Sequence, residues 1–172
     1  VSDYQFPNGA LWYDPCAGHG AIIRAVDSRR SHLQWMAHEI RPECAHELNN
    51  LAIDVQIGDA LTHLAINGIH NQVRVIITNP PYELAEDFAE QMIGNDGATV
   101  CFLLRLNWLA STKRHQLLSH YIPDIYVLPN RPSFTDSGTD ACDYAWFVWP
   151  HHNHRRTIGK IEILDTTPKE QR

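Results

Sequence analysis

The ten residues IITNPPYELA (76–85) carry a β-favouring run into a helix-like pattern through Asn79-Pro80-Pro81-Tyr82. Neither proline can donate a backbone hydrogen bond, and each fixes its own φ, so 79–82 can be neither sheet nor helix. The segment is a stiff corner at the carboxyl end of a strand. In open α/β sheets that edge is where ligands bind.

The rest of the chain supplies such a sheet. Strand-like runs at 11–13, 33–39, 55–57, 73–78 and 99–104 alternate with helix-like stretches at 21–26, from Pro42 onward, at 83–93 and at 109–120. Residues 73–78 form the continuous apolar run expected of a strand covered on both faces. In 83–93 the apolar residues Leu84, Phe88 and Met92 form an i, i+4, i+8 stripe suited to packing on a sheet. The ending breaks the alternation: 125–128 and 144–149 are strand-like and joined by a Pro-, Gly- and Asp-rich loop, which predicts an antiparallel hairpin. The expected architecture is α/β, a doubly wound, mostly parallel seven-stranded sheet closed by that hairpin.

A chain of 172 residues with 44 % hydrophobic content suits one domain spanning 1–172, with a core over about 10–150 and a short tail at 151–172. No apolar run is long enough for a membrane span and no signal-peptide pattern opens the chain. Cys16, Cys44, Cys101 and Cys142 are scattered without a CxxC pair, as in a reducing, cytoplasmic protein, and suggest neither a disulfide frame nor a zinc site. The net charge of −6 is unevenly spread. Residues 1–100 hold five Lys/Arg against thirteen Asp/Glu, whereas 101–160 hold seven against four and five of the eleven histidines. One basic segment on an acidic body is compatible with a local phosphate-binding face. The run HHNHRR (151–156) reads as a solvated basic patch, since its spacing lacks a partnering Cys or acid for a metal.

Three further strand ends bear polar signals. Asp14-Pro15-Cys16-Ala17-Gly18-His19-Gly20 follows the first strand and leads into a helix. Its glycines allow close backbone approach to a ligand, but Ile23 stands where a dinucleotide fingerprint has its third glycine. An early carboxylate suits a free ammonium better than a pyrophosphate. Glu39 ends the second strand, about twenty residues on, the spacing at which an acid reaches ribose hydroxyls. Asp59 ends the third, placed to accept from an adenine amino group. Together they outline a nucleoside carrying an ammonium group, a description that fits S-adenosylmethionine.

From about Leu11 to Trp149 the sequence resembles the amino-methyltransferases, especially the small DNA adenine-N6 methyltransferases of bacteria and their phages. The resemblance rests on the cofactor-like loop at Asp14, the acids Glu39 and Asp59, and above all Asn79-Pro80-Pro81-Tyr82. The segments RLNWLASTKR (105–114) and RPSFTDSGTDACDYAWFVW (131–149) share it. It implies the Rossmann-like class I methyltransferase fold. It also implies a cofactor site drawn from Asp14, Cys16, Ala17, Gly18, Gly20, Glu39, Ile40, Asp59 and Ala60, and a catalytic corner of Asn79, Pro80, Pro81 and Tyr82.

The resemblance gives the proline corner a purpose. An exocyclic amine on a base is a poor nucleophile, because its lone pair is delocalised into the ring. Two rigid acceptors, the Asn79 side-chain oxygen and the Pro80 carbonyl, would draw the amine hydrogens and localise that lone pair. Tyr82 would face a base taken out of its stack. The expected nucleic-acid contacts are Arg105, Lys113, Arg114 and Arg131 to phosphates, Asn107 beside them, and Trp108 and Phe134 as wedges or stacking faces. The same chemistry on an RNA base or a protein glutamine, and a non-catalytic subunit of the same fold, are the alternatives. The short tail after Trp149 leads to an expectation of little sequence preference around the target adenine.

Overall fold

Trp12 and Tyr13 point to opposite faces of the first strand, β1 (Leu11–Asp14), and each enters a separate core. The same division runs across the sheet of the computed structural model, which describes residues 9–30, 32–94, 97–130, 142–151 and 158–166. Period-2 alternation sends Val75, Cys101 and Val148 to one face, and Ile76, Phe102, Phe147 and Trp149 to the other.

The strands are β1, β2 (Gln34–Glu39), β3 (Asp54–Ile57), β4 (Val73–Thr78), β5 (Thr99–Arg105), β6 (Asp124–Val127), β7 (Tyr144–Trp149) and β8 (Ile161–Ile163). Their spatial order is β3-β2-β1-β4-β5-β7-β6-β8. The first five run parallel, with β1 between β2 and β4. Strand β7 lies antiparallel between β5 and β6, and β8 pairs parallel with β6 at the edge. The mostly parallel sheet and its antiparallel part are as the sequence predicts, but the described residues hold eight strands, not seven. A strand of three residues, two of them 72 % and 73 % exposed isoleucines, has too little periodicity to be read in advance.

Helices cover both faces. Helices α1 (Ala21–Asp27) and α2 (Ala45–Leu48) place Ile23 and Leu48 on the Trp12 side, where Trp12 and Trp35 meet at 5.4 Å between ring centroids. Helices α3 (Ala60–Asn67), α4 (Ala85–Met92) and α5 (His115–His120) lie on the other side. In α4 the buried residues Ala85, Phe88, Ala89 and Met92 follow helical spacing, and Glu86 and Asp87 sit in the first turn, where the helix dipole favours acids. Fully buried side chains of the size of Ile23, Leu48 or Phe102 contribute about 1.5–3 kcal/mol each.

Two local readings change. The helix expected over 109–120 is α only from His115, because a 3-10 turn, Leu106–Leu109, first carries Trp108 into the core. Helix α3 has signals that the periodicity argument passed over: Asp59 caps its start, and Gly68, at φ 66°, ends it.

The topology fixes where a ligand can sit. From β1 the chain winds outward through β2 to β3, then returns to lay β4 on the other side of β1. The loops leaving β1 and β4 therefore diverge, and a crevice opens between them at the carboxyl ends of the strands.

Candidate active site

A cleft of about 440 Å³ occupies that crevice, lined by Pro15, Cys16, Glu39, Ile40, Arg41, Asp59, Ala60, Asn79, Pro80, Pro81, Tyr82, Leu84 and Phe88. The ends of β1, β2, β3 and β4 thus converge, and all four residues of the proline corner face one space with five of the nine residues expected at the cofactor.

The other four cofactor-loop residues shape the turn rather than the wall. Gly18 and Gly20 take φ values of 55° and 80°, the left-handed region that glycine adopts without strain. Gly20 N–H donates to the Ala17 carbonyl at 2.7 Å, and Ala17 N–H to the His38 carbonyl at 2.9 Å. A Cβ at Gly20 would lie 2.5 Å from Leu51 Cδ1. Asp14 is fully buried, its Oδ1 accepting from the Cys16 amide at 3.1 Å. Burial pushes its carboxyl up to about 7, against the opposing influence of the neighbouring Thr78 hydroxyl and the Cys16 amide. Asp14 thus lies beneath its loop and does not line the cleft, whereas the sequence places it at the cofactor.

Glu39 presents a pinned carboxylate. Its Oε2 accepts from Gly18 N–H at 2.6 Å, and its Oε1 from the Arg41 amide at 3.1 Å and Arg41 Nε at 2.8 Å. Burial works against its ionisation, but the Arg41 side chain and the Arg41 and Gly18 amides outweigh it and hold the carboxyl below its usual range. Beside it Ile40 is 67 % exposed, an apolar surface at the cleft. Asp59 caps α3, with Oδ1 accepting from Leu61 N–H at 3.0 Å and Oδ2 from the Thr62 hydroxyl at 2.7 Å. Its carboxyl is held low chiefly by Thr62.

At the proline corner, the Asn79 side-chain Oδ1 is buried with no hydrogen-bond partner. Buried polar atoms are nearly always paired, so an orphan acceptor on a cleft wall points to a donor that arrives with a ligand. Pro80 is buried beneath the corner. Tyr82 lines the cleft, with the Tyr144 ring 5.8 Å away and Arg105 Cζ 4.6 Å from its centroid.

Among the described residues, the expected nucleic-acid contacts divide between the core, the cleft wall and the exposed surface. Arg105 packs over Tyr82, and its Nε donates to the Tyr144 hydroxyl at 3.3 Å. Trp108 is 6 % exposed and edge-on to Phe147 and Trp149, so it is a core residue and not a wedge. Arg114 donates from Nε to the Trp108 carbonyl at 2.7 Å, lies over its ring, and approaches Glu86 at 3.6 Å, which commits it to the fold. Asn107 and Lys113 are exposed. Arg131 and Phe134 lie outside the described residues. Arg41, Leu84 and Phe88 also line the cleft, although the helical stripe predicts only sheet packing for Leu84 and Phe88 and no signal marks Arg41.

Among the described residues no group of three His, Cys, Asp or Glu could hold a metal, all four cysteines are free thiols, and no helix is long and apolar enough to cross a membrane.

No family model and no curated protein matches the chain. Solved structures do superpose on it. A protein from Listeria monocytogenes described as a class I S-adenosylmethionine-dependent methyltransferase aligns with 97 % of this chain and 62 % of its own, at 13 % identity and a TM-score of 0.60. A predicted O-methyltransferase from Agrobacterium tumefaciens aligns with 92 % of this chain and 80 % of its own, at 17 % identity and a TM-score of 0.62. The 23S rRNA methyltransferase ErmE aligns with 90 % and 65 %, at 13 % identity and a TM-score of 0.60. The chain spans less than two thirds of the Listeria and ErmE proteins. At such identities the likeness is one of fold: this is the class I methyltransferase fold.

Proposed function

We propose that this chain transfers a methyl group from S-adenosylmethionine to the exocyclic N6 amine of adenine in DNA. The observation that carries the reading is the Asn79 side-chain oxygen, buried at the cleft without a partner. An amine with two hydrogens is the kind of donor that such an acceptor lacks.

When bound, S-adenosylmethionine supplies an electrophilic sulfonium methyl. The chain's own residues do the rest. Asn79 Oδ1 and the Pro80 carbonyl accept the two amine hydrogens, which draws the nitrogen toward tetrahedral geometry and frees its lone pair for attack. Pro80 and Pro81 hold both oxygens in place, so little reorganisation accompanies the reaction. Tyr82 offers a ring face to an adenine swung out of the duplex. Glu39 accepts from the ribose, Ile40 flanks the purine, and Asp59 takes the cofactor's adenine amino group on a lone pair not used in the helix cap. Phosphate contacts come from the basic segment, of which Lys113 is exposed.

RNA is the second reading, since ErmE is an rRNA methyltransferase and another structural neighbour, from Pyrococcus horikoshii, is described as an RNA methyltransferase. Incubation with methyl-labelled S-adenosylmethionine and separate DNA, RNA and protein pools, followed by nucleoside analysis, tests both. Label in N6-methyldeoxyadenosine is the expected result. Label in RNA adenine would move the substrate, and no label in any pool would overturn the proposal.

A further inference from the structure

The second strand ends in Glu39-Ile40-Arg41, and the arginine turns back across its own acid. Lone-pair arithmetic gives this contact a consequence. A carboxylate offers about four acceptor sites, two on each oxygen. On Oε1 both are filled, by the Arg41 amide at 3.1 Å and by Arg41 Nε at 2.8 Å. On Oε2 one is filled, by Gly18 N–H at 2.6 Å, and among the described residues no second donor reaches it. The two backbone amides belong to the loop and strand end and stay where they are. Only the Arg41 side chain separates a carboxylate with one open site from a carboxylate with one open site on each oxygen.

The half-exposed Arg41 side chain is engaged at two points. The Glu39 side chain is 7 % exposed, so its partner bonds to a largely desolvated charge, where a charge-assisted contact is strong. Arg41 Nη2 lies 3.4 Å from where a Cβ would stand on Gly18, so the guanidinium rests on a stretch of backbone that glycine leaves open. Arg41 also lines the cleft.

We infer that Arg41 is a specificity-determining residue of the nucleoside site: it closes Oε1 of Glu39, so that the ribose is held through a single hydroxyl on Oε2 and not clamped through both. The inference rests on the cofactor reading above, and applies equally to the cofactor and to its demethylated product.

The test is calorimetric binding of S-adenosylhomocysteine and its 2′-deoxy and 3′-deoxy analogues to the full chain and to Arg41→Ala. In the parent protein one analogue should bind within about twofold of S-adenosylhomocysteine, and the other about tenfold or more weaker, as loss of a hydrogen bond to a charged group entails. In Arg41→Ala, with Oε1 open, both analogues should lose about tenfold or more. Arg41→Lys, in which Nζ restores a cation near Oε1, should return toward the parent pattern. Equal losses for both analogues in the parent would show that the ribose displaces Arg41, and would overturn the inference while leaving the cofactor reading standing. So would an Arg41→Ala protein that still tolerates one missing hydroxyl. Failure of S-adenosylhomocysteine to bind the parent at all would overturn the cofactor reading and this inference with it.

Discussion

Arg105 Cζ lies 4.6 Å from the centroid of the Tyr82 ring. The arginine closes β5 and the tyrosine ends the proline corner of the neighbouring strand, so a residue of the basic segment supports the aromatic surface at the cleft. Its guanidinium also reaches Tyr144, whose ring stands 5.8 Å from Tyr82. An arginine so placed acts on the target base through Tyr82. Tyr82→Ala should therefore cost about 1–3 kcal/mol in kcat/KM through lost stacking, and Tyr82→Phe much less. Arg105→Ala should lower kcat/KM with little change in the salt dependence of nucleic-acid binding. The exposed Lys113, replaced by alanine, should reduce the salt slope by about one. Titrations at several salt concentrations separate the two roles.

Asn79→Ala should lower kcat by about 10² or more, as loss of one preorganised polar group does, with cofactor binding nearly intact. The same change removes a buried acceptor that has no partner in the fold. Thermal unfolding of Asn79→Ala should accordingly show no loss of stability beyond about 1 kcal/mol, and a gain is consistent with the removed desolvation cost. Single-turnover methylation at the parent rate would refute the catalytic role.

Glu39→Ala should weaken S-adenosylmethionine binding by about 1.5–3 kcal/mol, the range for hydrogen bonds to a charged group. Because its carboxyl is held below the ordinary range in the folded protein, Glu39 contributes stability that is present above the unfolded value near 4.5. That contribution is lost as pH falls through the lower folded value. Acid unfolding of Glu39→Gln should be less steep over that interval than in the parent.

Asp14 has the opposite sign. Burial raises its carboxyl from 3.8 to about 7, so the folded chain binds a proton over that interval that the unfolded chain has released. Stability falls as pH rises from about 4 toward 7, on the order of a few kcal/mol in all. Asp14→Asn keeps an oxygen for the Cys16 amide and abolishes the titration. It should raise Tm at pH 7–8 and converge on the parent near pH 4, as scanning calorimetry across that range would show.

Gly20→Ala should destabilise by about 1–2 kcal/mol from the left-handed backbone alone, and further by forcing Leu51 aside. Denaturant titration gives the magnitude. Cofactor affinity should fall with it, since this turn positions Gly18 against Glu39.

What could be read from the chain alone was what local rules govern. Proline geometry makes 79–82 a corner whatever surrounds it, a continuous apolar run places β4, a period-3.6 stripe places α4, a turn-rich loop pairs β6 with β7, and the intervals between strand ends bring Glu39, Asp59 and Asn79 to one rim. Tertiary structure decided where each side chain spends its polarity, because that depends on partners distant in sequence. Trp108 is core because Phe147 and Trp149 arrive beside it from β7. Arg114 is tied to Glu86, and Asp14 is sealed under its own loop, where burial overrides its charge. Asp59 is a residue type that favours a helix cap, but that it spends its oxygens there, and that Arg41 turns back onto Glu39, only the folded neighbours decide. An arginine or aspartate is equally compatible with solvent, phosphate or a buried pair until the fold sets its neighbours and its desolvation.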